Sequence, residues 1–143
     1  MKLFSNIIPG LLQTEDYARR MLGAAAPQPS VALLEELVTI RIGRQRVLRP
    51  EKGLEPPLEL HAVIDEAALQ RRPDEDEMMR RQLRRLVADA ELRSVHLRVF
   101  PFTAGFSPAF STFTAFEPRD PTDTVVVNVE SALQDSTMNR PMR

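Results

Sequence analysis

A chain of 143 residues is the length of one domain, and its 43% hydrophobic share suffices for a single core. With no cysteine, it excludes disulfides, thiolate metal sites and cysteine nucleophiles. A net charge of −1, slightly positive through residue 50 and slightly negative beyond it, lacks the basic footprint that phosphate contacts demand, so no direct nucleic-acid binding is expected. No apolar run is long enough to span a bilayer, and the N-terminus lacks the pattern of a signal peptide. The expectation is a cytoplasmic protein with no membrane partner.

Thr14 is a plausible N-cap, with Glu15 and Asp16 where the helix dipole favours carboxylates, which predicts a helix from about Glu15 to Gly23. Two prolines between Ala25 and Pro29 break that helix, and Ser30 can cap a second one running to about Leu48. Alternation over Leu58 to Ile64 predicts a strand, and Asp65 starts a short helical turn. The pattern of Asp74 to Glu91 predicts a helix with Met79, Leu83, Leu86, Val87 and Ala90 on its buried side. Its arginines Arg80, Arg81, Arg84 and Arg85 read as a solvated face, with Asp76–Arg80 and Glu77–Arg81 spaced for ion pairs.

Ser94 to Phe100 is a second strand, so strand, helix and strand imply a right-handed parallel crossover. Strands at Phe110 to Glu117 and Thr124 to Glu130 should form an antiparallel hairpin. The expected fold is α+β, a single domain over residues 1–130 with a mixed four-stranded sheet packed against helices, followed by a flexible tail over 131–143.

The second helix carries the clearest chemical clue. Leu34, Leu37, Val38 and Leu48 define its apolar stripe, and Arg41 and Gln45 fall in the middle of it, with Arg44 at its edge. An inward guanidinium needs an anion or several acceptors. Arg41 is therefore either in a structural ion pair with Glu66, Asp65 or Glu130, or an anion clamp on the floor of a pocket. The pattern fits both. Asp65 and Glu66 follow the first predicted strand and are candidates for acid/base work, although capping the next helix is the simpler role for one of them. His61 and His96 fall on the polar alternates of their strands. Two histidines without a clustered carboxylate are a poor metal signature, so no metal is expected. Phe102, Phe106 and Phe110 lie in a loop with Gly105, and either fill the core or close over a ligand. No phosphate-binding glycine motif occurs, so no nucleotide cofactor is implied.

Five stretches, in order, carry a family resemblance. They are Ile8-Pro9-Gly10-Leu11-Leu12-Gln13-Thr14-Glu15-Asp16-Tyr17-Ala18-Arg19, Arg41-Ile42-Gly43-Arg44-Gln45-Arg46-Val47-Leu48, Val63-Ile64-Asp65-Glu66-Ala67-Ala68-Leu69, Val99-Phe100-Pro101-Phe102-Thr103-Ala104-Gly105, and Phe113-Thr114-Ala115-Phe116 with Val125-Val126-Val127-Asn128-Val129-Glu130. Over residues 6 to 130 the chain resembles the effector-like domain of unknown function that follows the helix-turn-helix in many actinobacterial XRE-type regulators. It departs from that pattern in lacking the helix-turn-helix ahead of Met1 and in a shortened C-terminus after Glu130. The resemblance implies a stand-alone domain that binds a small molecule or a protein partner, related to the sensor half of a regulator. In that reading Tyr17, Arg41, Arg44, Gln45, Phe102 and Phe106 line the ligand site. The alternative is a cofactor-independent enzyme, a cyclase, isomerase or lyase of a biosynthetic pathway, in which Arg41 polarises the substrate and Glu66 or Asp65 moves a proton. Homodimerisation through an uncovered sheet edge is compatible with both.

Overall fold

The computed structural model describes residues 1–50, 56–71, 76–105, 112–118, 120, 122–130 and 135–140. Among the described residues six strands form one mixed sheet, in the order β3-β2-β1-β4-β5-β6. They are β1 (Lys2–Ser5), β2 (Leu60–Asp65), β3 (Val95–Phe100), β4 (Thr112–Phe116), β5 (Val125–Glu130) and β6 (Asp135–Arg140). The expected parallel pair is present as β2 and β3, with Leu60 opposite Val95 and His61 opposite His96. The expected hairpin is present as β4 and β5, antiparallel.

The count of four strands is corrected. Between the two predicted pairs lies β1, parallel to β2 and antiparallel to β4, so the first residues of the chain form an inner strand. At the other edge β6, from the stretch expected as a tail, pairs antiparallel with β5.

Among the described residues there are four α-helices, packed on one another and on the sheet. In α1 (Glu15–Gly23) the Thr14 hydroxyl accepts from the Tyr17 amide, which is the expected cap. Ser30 likewise caps α2 (Val31–Arg44) by accepting from the Leu33 amide. The helix then tightens into a 3-10 turn at Gln45–Leu48, which still presents Gln45 and Leu48 inward. Asp65 caps α3 (Glu66–Gln70) by accepting from the Ala67 amide at 2.8 Å.

The longest helix, α4 (Asp76–Ala90), is turned differently from its expected orientation. Met78, Met79, Gln82, Leu86 and Asp89 are buried, whereas Leu83 and Val87 are exposed. Two polar residues thus take the place of two aliphatic ones, because each polar side chain has a structural duty inside. Of the expected surface arginines, Arg80 pairs with Glu77 at 3.8 Å, but Arg81 reaches Asp16 on α1 and Arg85 turns to Asp89.

The core lies between the helices and one face of the sheet. Leu3, Leu60, Ala62, Ile64 and Val95 meet Ile8, Leu12, Tyr17, Leu48, Met79 and Leu86 there. On β2 burial alternates, with Leu60, Ala62 and Ile64 inward and His61, Val63 and Asp65 on the opposite face.

Candidate functional site

Ahead of α1 the chain makes a tight corner whose backbone is held by amide side chains. A 3-10 turn at Gly10–Leu12 leads into Gln13, which is fully buried. Gln13 donates to the Ile8 carbonyl at 2.7 Å, and Gln45 donates to the carbonyls of Gly10 at 3.0 Å and Gln13 at 2.7 Å. From α4, Gln82 donates to the Leu12 carbonyl at 2.8 Å and accepts from the Thr14 amide at 2.7 Å. Arg85 donates to the side-chain amide oxygen of Gln45 at 3.2 Å and to the Asp89 carboxylate at 2.8 Å, and Arg49 donates to Asp89 at 2.6 Å. An irregular buried turn has carbonyls that no helix or sheet satisfies, and these side chains satisfy them. No buried side-chain polar atom lacks a partner among the described residues.

Arg41 belongs to this corner. Its Nη1 donates to the Gln13 side-chain oxygen at 3.1 Å, and its guanidinium lies against Gly10, where a Cβ would meet Arg41 Cδ, Nε and Nη1 at 3.6 Å. That is ordinary van der Waals separation, so Arg41 packs against this turn without the turn requiring a glycine.

On the other side of Arg41 opens a cleft of about 490 Å³. Its walls come from the inner face of β1 and β4, through Leu3, Ser5, Thr112, Thr114 and Phe116, and from the corner and the 3-10 turn after α2, through Ile7, Leu11 and Val47. Arg41 and Arg44 are its charged residues. Among the described residues Arg44 makes no hydrogen bond or ion pair. The cleft thus joins an apolar slot to a cationic rim, a combination suited to fixing one end of a ligand.

The structure brings together only part of the expected site. Arg41 and Arg44 line the cleft, while Gln45 is buried behind them as a brace of the corner. Tyr17 is in the core instead, where burial raises its hydroxyl pKa against the opposing charge of Arg71. Phe102 is 60% exposed just beyond the end of β3. Its amide donates to the Glu66 carboxylate at 2.8 Å, so Glu66 ties α3 to that turn. Neither Glu66 nor Asp65 lines the cleft. Phe106 and Phe110 lie outside the described residues.

A second cluster occupies the opposite face of the sheet. His61 and His96 stack with ring centroids 4.4 Å apart and planes 24° apart. The Glu59 carboxylate oxygen lies 2.9 Å from His61 Nε2 and 3.6 Å from His96 Nε2. The expectation of no metal rested on two histidines without a carboxylate; Glu59 supplies one. The spacing Glu59-x-His61 in an extended segment was the available signal, because alternate residues share a face.

Family comparison bears on the whole of this arrangement, since one family model matches residues 2–142. The chain belongs to the family DUF5753, a domain of unknown function. The match takes in both clusters and β6. No curated protein and no solved structure matches this DUF5753 chain. Within the described part of the domain, no helix is long and apolar enough to cross a membrane.

Proposed function

We propose that this DUF5753 domain is a binding module that retains a small amphipathic anion, its charged head at Arg41 and Arg44 and its apolar body along β1 and β4. The observation that carries the reading is the placement of both arginines at the rim of an otherwise largely apolar cleft. A planar guanidinium matches a carboxylate with two parallel hydrogen bonds, and Arg41 is already oriented by Gln13 and Gly10. This is the counterpart of the sensor half of a transcription regulator, the setting that the resemblance of the five sequence stretches implies. The same cleft takes a small molecule more readily than a protein segment, because it is a slot and not a flat patch.

The test is native mass spectrometry of the purified protein after incubation with a small-molecule extract of the cells that make it. An anionic, apolar compound retained unaltered is expected, with retention at least about tenfold weaker in the Arg41→Ala/Arg44→Ala double variant, since a charge-assisted hydrogen bond contributes about 1.5–3 kcal/mol. Because Arg41 also contacts the corner, Thr114→Trp serves as a second variant that fills the cleft and leaves the corner intact. Retention that survives both variants would sink the proposal. A compound returned chemically changed would replace it with the cofactor-independent cyclase, isomerase or lyase.

A further inference from the structure

We propose that Glu59, His61 and His96 form a binding site for a divalent transition-metal ion of the zinc, nickel or cobalt class, on the sheet face opposite the cleft. The backbone fixes the three donors. His61 and His96 are direct partners in the parallel pairing of β2 with β3, so their side chains leave the same face side by side. Glu59 is two residues before His61 and shares that face, and the segment is anchored where Leu60 donates to the Ser94 carbonyl at 2.7 Å and His61 donates to the Met1 carbonyl at 2.9 Å. One oxygen or nitrogen from each residue lies within 4.8 Å of the other two.

The distances suit an ion. A tetrahedral metal about 2.0–2.2 Å from imidazole nitrogen and carboxylate oxygen holds its donors roughly 3.3 Å apart. The contacts of Glu59 with the two rings, 2.9 and 3.6 Å, bracket that value. With all three donor atoms within 4.8 Å of one another, side-chain rotation can bring them onto one ion.

The donor set also selects the ion. Two imidazoles and one carboxylate favour borderline transition ions over magnesium or calcium, which take oxygen ligands. His61 and His96 are 44% and 48% exposed and Glu59 is 67% exposed, so the remaining coordination positions face solvent. An open site of three protein ligands leaves room for water or a ligand atom from outside, unlike a closed structural site.

The test uses the full chain, stripped with a chelator and titrated with Zn²⁺ by calorimetry, with Co²⁺ as a coloured probe of the ligand geometry. One saturable equivalent per chain is expected, with an affinity lowered more than about tenfold in His61→Ala, in His96→Ala and in Glu59→Gln. The visible Co²⁺ bands of a histidine-ligated ion should vanish in the His61→Ala/His96→Ala double variant. The three side chains are partly exposed, so the variants should fold, and a circular dichroism spectrum superimposable on that of the parent verifies this. Should the double variant unfold, His61→Asn/His96→Asn is the replacement. No saturable uptake at millimolar Zn²⁺, or uptake that persists in a folded double variant, would overturn the proposal.

Discussion

Gln82 shows how much one polar side chain can determine. It is fully buried, and it closes two hydrogen bonds of the corner, one to the Leu12 carbonyl and one from the Thr14 amide. Gln82→Leu keeps the bulk and leaves both backbone groups without those partners, so urea denaturation should show a loss of about 2–6 kcal/mol, at about 1–3 kcal/mol for each orphaned group. Asp16 offers a pH-dependent counterpart. Burial pushes its pKa up, but hydrogen bonds from Thr14, Arg81 and the Tyr17 amide outweigh this and hold the carboxyl below its ordinary value. A carboxyl with a lowered folded pKa contributes stability that is present above its unfolded value, about 4, and is lost as pH falls through the folded one. The parent should therefore be more stable than Asp16→Asn at neutral pH, and thermal melts should show the gap closing as pH drops below about 4. A gap independent of pH would assign the Asp16 contribution to geometry alone.

At the scale of elements, α4 separates what periodicity reveals from what it does not. Its course over the described residues Asp76–Ala90 was legible, the expected start at Asp74 lying outside them, yet its rotation was not, since counting only aliphatic residues favoured Leu83 and Val87 over Gln82 and Asp89. The buried side is set by partners far away in sequence, namely the carbonyl of Leu12 and the guanidinium of Arg49. The observed rotation makes opposite demands of two neighbouring residues. Leu86→Ala should cost about 2–4 kcal/mol through lost burial and a cavity, whereas Val87→Ala, at a residue 66% exposed, should change stability by less than about 0.5 kcal/mol. Comparable losses would mean that the helix is turned as its aliphatic pattern alone suggests. By contrast the caps of α1, α2 and α3 were all readable, because Thr14, Ser30 and Asp65 act on amides two or three residues away.

Across the whole molecule, one sheet separates two surfaces with different chemistry. The inner face carries the core and the cleft. The outer face carries the histidine pair and, farther along, Phe4 between Phe100 at 6.3 Å and Phe113 at 6.5 Å. Strand pairs joined by a predicted helix or a turn could be inferred in advance; the position of β1 could not. Four residues with little alternation give a weak local signal, and their partners, His61 to Ile64 on one side and Phe113 to Ala115 on the other, are remote. The cleft was unreadable for the same reason, since β1 and β4 form one of its walls. That Arg41 and Arg44 lie near one helix face was readable because helical periodicity is local; the contact of Arg41 with Gly10 was not, because it joins two segments that only the fold brings together.

The order in which these strands are made has its own consequence. Within this domain β1 is synthesised before both of its neighbours, and β4, which closes its second edge, begins only at Thr112. One edge of β1 therefore stays without its native partner until β4 is made, and the slowest step of folding should be the one that waits for that distant pairing.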